Sequence, residues 1–136
     1  MTQIDVRTSR RTEMIVITDQ VQRAVTDSGV QSGLCYVQVP HTTAAVTINE
    51  NADPDVPHDI LHALDRLVPQ NDPEYRHDEG NSAAHVKSSL FGASRIGRRS
   101  AAAVPRQELH RAALGPRLPP AQQEAHVPAP RGHLQV

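Results

Sequence analysis

All three aromatic residues of this chain, Tyr36, Tyr75 and Phe91, precede Ser94. The 42 residues after it hold six prolines, eight alanines and seven arginines, without one Asp or Lys. This break constrains the fold most. Proline fixes φ and lacks an amide donor, so prolines at 105, 116, 119, 120, 128 and 130 block most regular structure there. The charge breaks at the same place. Residues 1–94 carry seven Lys/Arg against thirteen Asp/Glu, a balance of −6; residues 95–136 carry seven Arg against two Glu, a balance of +5. Two readings of 95–136 stand side by side: a natural disordered Arg/Pro/Ala tail, and the product of a shifted reading frame. A one-base forward slide through Pro119 to Pro130 turns the Gln-Gln and Gln-Glu junctions into Asn/Ser and Lys/Arg codons and permits Leu-Thr-Phe-Gln from Ala125 to Pro128. The same slide at Arg95 to Arg99 permits Glu-Leu-Val-Val-Val, a strand.

A length of 136 residues allows at most one domain with a modest core. The expected division is an α+β unit over 1–94 and the tail over 95–136. The net charge of −1 points to neither nucleic acid nor membrane. The tail arginines are scattered among Pro and Ala with no aromatic stacking partner. A single cysteine, Cys35, rules out an internal disulfide and suits a reducing compartment. No apolar run reaches the roughly 20 residues of a membrane span, and MTQIDVRTSRR lacks the apolar segment of a signal peptide. A soluble cytoplasmic protein is the expectation.

Ile4 and Val6 alternate with polar neighbours, as in a half-buried strand. Met14 to Ile17, Leu34 to Val39 and Ala44 to Ile48 read as further strands. Thr18 or Asp19 can cap a helix bearing Val21, Ala24 and Val25, which Ser28-Gly29 ends. Pro54 or Pro57 suits the first turn of a second helix with a stripe of Val56, Ile60, Ala63 and Leu67. Residues 70–80 form a polar loop, and Ser82 to Leu90 a short helix before Gly92. The order β-β-α-β-β-α-loop-α, with short connections, favours an α+β fold: an antiparallel sheet with helices packed on one face, its C-terminal strands missing or disordered.

The chemistry concentrates in HTTAAVTINENADPDVPHDI (41–60) and HDEGNSAAHVKSSLFGAS (77–94). His41 with Thr42 and Thr43 follows the strand end at Pro40. It is either a turn residue or a ligand flanked by two hydroxyls. Asn49 to Asp53 places two carboxylates and two amides in one strand-to-helix turn. Such residues suit turns and caps, and equally oxygen ligation of Mg²⁺ or Ca²⁺. Asp55, Asp59, His62 and Arg66 share a helix face. His58 and His62 are one turn apart, a spacing that can hold zinc. Asp59 is the favoured functional member, with His62 at the surface. Tyr75 to Asn81 is a loop dense in ligand types. His85 shares a helix face with Ser88 and Ser89, which suits phosphate, metal or local hydrogen bonding alike.

In combination these motifs resemble the YjbQ-like family, often called secondary thiamine-phosphate synthases. The likeness covers most of 1–94 and is strongest at 41–60 and 77–94. It rests on the order His-Thr-Thr, Asn-Glu-Asn-x-Asp-Pro, His-Asp, His-Asp-Glu-Gly, His-x-Lys-Ser-Ser-Leu-x-Gly. The resemblance implies His41, Asp59 and His85 as catalytic candidates. It implies Thr42, Lys87 and Ser88 for substrate or cofactor contacts, and His41, Glu50, Asp53, His77 and His85 as metal candidates. A divalent metal, Mg or Zn, a small phosphorylated ligand and a homotrimer follow from the same likeness. The family's later Gly-Thr-Trp-Gln is missing, and the chain has no Trp; Gly115-Pro116-Arg117 resembles its late Gly-Pro-Arg.

Two functions follow as expectations. One is a transferase joining a hydroxymethylpyrimidine diphosphate to a thiazole phosphate with release of pyrophosphate. In it, Glu50, Asp53 and Asp59 hold Mg²⁺, and His41, His85, Lys87 and Ser88 meet phosphate oxygens. The other is a non-catalytic metal- or anion-binding trimeric module, or an inactive truncated relative.

Overall fold

The structure, a computed structural model, describes residues 1–99 in full and residues 108–113 and 124–127 as backbone strands. In chain order the elements are β1 (Thr2–Asp5), β2 (Glu13–Val16), α1 (Thr18–Asp27), β3 (Gly33–Gln38), β4 (Ala44–Asn49), α2 (Asp55–Leu67), α3 (Ser82–Phe91), β5 (Ser94–Arg99), β6 (Glu108–Ala113) and β7 (Glu124–Val127). The α+β class with antiparallel pairing is therefore observed.

The strands divide into two antiparallel sheets rather than one. Their orders are β1-β7-β3-β5 and β2-β6-β4. Short connections do not make sequence neighbours pair here: β3 and β4, six residues apart in sequence, belong to different sheets. β3 instead pairs along its length with β5, Gly33 opposite Arg99 through Gln38 opposite Ser94.

β4 explains why its apolar run does not alternate with polar residues. Successive side chains point to opposite faces, and both faces of this strand are covered, as in any doubly buried strand. Ala44 and Val46 join the main core with Ile4, Val6, Ile17, Val21, Ala24, Val37 and Val39. Ala45 faces the other way, into a smaller cluster with Leu64 of α2 and Ala84 of α3, flanked by Met14, Ile60 and Phe91. The first cluster seats α1 against the sheets, and the second seats α2 and α3.

α1 begins at Thr18, but its N-cap position is Ile17, which has no side-chain cap; neither Thr18 nor Asp19 occupies that place. Ile17 is fully buried, so packing fixes this helix start where a capping hydroxyl was expected. Gly29 takes a φ of 72° after the helix end, a conformation that side chains with a Cβ resist. α2 is rotated from its expected stripe. Val56 and Ile60 are half-buried, Leu64 is the buried residue, and Ala63 and Leu67 are exposed, Leu67 by 76%. The expected stripe is wrong at its C-terminal half because Leu64 and Val68 carry the helix contact there.

Beyond Ser94 the structure differs from the expectation of missing or disordered strands. β5 pairs antiparallel with β3, β6 lies between β2 and β4, and β7 pairs with β1 and reaches Gln38 of β3. None of the six late prolines falls within these strands, so no ladder donor is lost inside them. The disordered-tail expectation for residues 100–107, 114–123 and 128–136 lies outside the described residues. Among the described residues, no helix is long and apolar enough to cross a membrane.

Candidate functional site

The site is built where three segments converge: the β3–β4 turn, the 70–81 loop and α3. The turn comes first. β3 ends at Gln38, and beyond Pro40 His41 folds back on its own segment. Its Nδ1 accepts the Thr43 amide at 3.1 Å and lies 3.1 Å from the Thr43 hydroxyl. Thr43 is buried. An Nδ1 that accepts a backbone N–H leaves the ring proton on Nε2.

α3 is tied to this turn by Ser88. Its hydroxyl meets the Thr42 carbonyl at 2.5 Å and the His85 carbonyl at 3.0 Å, and the residue is buried. Ser89 likewise donates to the His85 carbonyl at 2.8 Å. Both hydroxyls thus serve the backbone, the local-bonding alternative for this helix face. At the end of α3, the Val39 amide donates to Ala93 at 2.7 Å and the Val46 amide to Gly92 at 3.2 Å. These bonds fix α3 against β3 and β4. Gly92 has a φ of 84°, which releases the chain from the helix into β5.

Lys87 departs from its expected role. It is 1% exposed and its ammonium pairs with Asp65 of α2. The charge locks α2 to α3 and does not face solvent where a phosphate could reach it. A buried ammonium needs a partner, and Asp65, absent from the sequence candidates, supplies it.

The loop contributes His77. Its ring packs edge-on against His85, centroids 5.3 Å apart with an interplanar angle of 68°. His77 Nε2 stands 3.8 Å from Glu79, whose carboxylate accepts the Asn81 side-chain amide at 3.0 Å. Glu79 therefore links His77 to the start of α3. Asn81 is buried at the N-cap, its side chain makes no cap bond, and its Oδ1 has no partner. Beside it opens a cavity of about 410 Å³ lined by residues including Gln70, Asp72, Tyr75, His77 and Ser82. That volume lies in the ordinary range for small-molecule sites.

The remaining candidates stay apart from this group. Glu50 is exposed, and its amide donates to Asn49 Oδ1 at 2.8 Å. Asp53 is also exposed and its Oδ1 caps the Asp55 amide at 2.9 Å, which is the turn role open to it in the sequence. Asp59 is 78% exposed and contacts His58, outside the convergence. Among the described residues no group of three or more His, Cys, Asp or Glu is placed to hold a metal ion. Of the metal candidates His41, Glu50, Asp53, His77 and His85, the pair His77–His85 is what the fold brings into ring contact. Glu79, Asn81 and Asp65 were missed by sequence reasoning. The dense HDEGN loop carried the signal for the first two, while nothing local marks Asp65.

Among the described residues, two antiparallel sheets, three helices and a histidine pair beside a loop cavity define a small α+β protein with a polar ligand-sized site. The chain belongs to the YjbQ family, described as UPF0047 protein YjbQ-like, whose family model matches residues 2–96. A UPF0047 protein of Methanocaldococcus jannaschii is 49% identical over 89 residues, 65% of this chain and 64% of that protein. The UPF0047 protein YugU of Bacillus subtilis is 48% identical over 91 residues, 67% of this chain and 69% of that one. The matched part thus spans about two thirds of these relatives. Among solved structures, an uncharacterised YjbQ/UPF0047 family protein of Clostridium acetobutylicum superposes with a TM-score of 0.85 at 38% identity, covering 94% of this chain and 98% of that one. A protein of unknown function from Sulfolobus solfataricus gives 0.82 at 28% identity, with 93% and 92% covered.

Proposed function

We propose that this chain binds a small phosphorylated molecule at the His77–His85 pair and the adjoining cavity. The carrying observation is the edge-to-face contact of these rings, 5.3 Å between centroids, with His77 also lining the 410 Å³ cavity. Two imidazoles supply donors for anionic oxygens. Ser82 lines the cavity at the start of α3, and the first turn of that helix contains no acidic residue. The positive end of its dipole therefore favours a negative group there.

The reaction that suits this site is transfer of a hydroxymethylpyrimidine from its diphosphate to a thiazole phosphate. The histidine donors would stabilise charge on the departing pyrophosphate. Within one chain the candidate residues do not complete a metal site, so a divalent ion, Mg or Zn, would draw ligands from substrate or from a second copy in a homotrimer.

The competing reading is a binding module without turnover. Its support is the commitment of Lys87 and Ser88 to internal contacts, which removes two of the expected phosphate partners. Incubating the full chain with both precursors and Mg²⁺ separates the two. Thiamine phosphate formed by the wild type and lost in His85→Ala supports the transferase. Saturable precursor binding without product supports the module.

A further inference from the structure

We infer that His58 and His62 form a second, separate site, a two-histidine seat for a divalent transition-metal ion on the exposed face of α2. The residues are four apart on a thirteen-residue helix, so their side chains rise from one face one turn apart. The structure brings the rings into register. Their centroids are 6.4 Å apart and their planes differ by 2°. His58 is 74% exposed at its side chain and His62 is exposed as well, so an ion can reach both without displacing core.

A second observation orients one ligand. His58 Nδ1 lies 3.1 Å from Asp59 Oδ1. An ionised carboxylate only accepts, so the shared proton belongs to Nδ1 and the lone pair to Nε2. Histidine metal ligands are ordinarily held this way, by a carboxylate or carbonyl on the nitrogen opposite the metal. Metal–nitrogen bonds are about 2.1 Å long. Both rings are exposed, so side-chain rotation can carry their Nε2 atoms toward one ion. The helix backbone fixes the spacing beforehand.

The donor type selects the cation. Imidazole pairs suit Zn²⁺, Ni²⁺ and Cu²⁺, whereas Mg²⁺ and Ca²⁺ prefer oxygen. Two protein ligands leave the remaining positions to water or an added ligand. Neither histidine belongs to the His77–His85 group, so this site stands or falls independently of the phosphorylated-ligand reading.

The test is calorimetric titration of the full chain with Ni²⁺, paired with ring-nitrogen NMR of the histidines. Circular dichroism verifies the fold of each variant. Wild type should bind, with paramagnetic broadening at His58 and His62. His58→Ala and His62→Ala should each weaken that event about tenfold or more, Asp59→Asn should weaken it less, and Mg²⁺ should not compete. Absence of Ni²⁺ binding, or binding that survives both alanine variants unchanged, overturns the inference.

Discussion

The Ser88 hydroxyl reaches the Thr42 carbonyl at 2.5 Å across 46 residues of sequence. That bond joins α3 to the turn that carries His41, and Ser88 is buried. Ser88→Ala leaves the Thr42 carbonyl without this donor, a loss of about 1–3 kcal/mol. A lowered midpoint in chemical denaturation is expected. The His41 environment should also change, read as a shift of its ring signals. An unaltered midpoint and unaltered His41 signals would contradict a tie between the two segments.

Lys87 and Asp65 predict an asymmetric pair of variants. Asp65→Ala strands a buried ammonium; because Asp65 is 62% exposed, water offsets part of the cost, leaving about 1–2 kcal/mol. Lys87→Met removes the charge and keeps most of the volume, so stability should stay within about 1 kcal/mol of wild type. The double variant should resemble Lys87→Met alone. Equal destabilisation by both single variants would count against a buried charge as the cause.

Much of the fold was legible in the sequence. Alternation marked β1, short apolar runs marked β2 to β4, and apolar residues at helical spacing marked α1 and α2. The α2 stripe was misplaced because Ala63 and Leu67 keep the 3.6-residue phase equally well, and only docking against Ala45 and Ala84 chooses Leu64. The division into two sheets was not legible, since β2 and β4 both pair with β6, which lies far along the chain from either. At the site, the ligand-rich segments were visible but not their grouping. His77 and His85 meet through the loop path, and Lys87 turns inward to an aspartate on the preceding helix.

Glu13 should give a stability component that depends on acid. Burial pushes its carboxyl up, but the Arg10 and Ser9 amides, the Ser9 hydroxyl and the Arg10 charge together hold it below its ordinary value. A lowered folded-state pKa means the contribution is complete above the ordinary carboxylate value and is lost as pH falls through the lowered one. Glu13→Gln should therefore unfold with a flatter acid limb than wild type. Superimposable acid limbs would show that this carboxylate carries no such linkage.

The break after Ser94 predicts a result in DNA. The family model stops at residue 96, whereas the Clostridium fold neighbour is covered over 98% of its length. A reading-frame shift accounts for that mismatch if the codons from Leu90 to the stop, sequenced afresh, encode Gly-Thr-Trp-Gln in another frame. Confirmation of the present codons would make 95–136 the natural sequence and favour the binding module over the transferase.

The most direct measurement of the central claim is titration of the chain with pyrophosphate, followed at the histidine ring nitrogens. The account predicts saturable shifts at His77 and His85 together, and about tenfold or greater loss of affinity in His85→Ala. Rings that stay unmoved to saturation elsewhere, or an affinity that His77→Ala and His85→Ala leave intact, would contradict it.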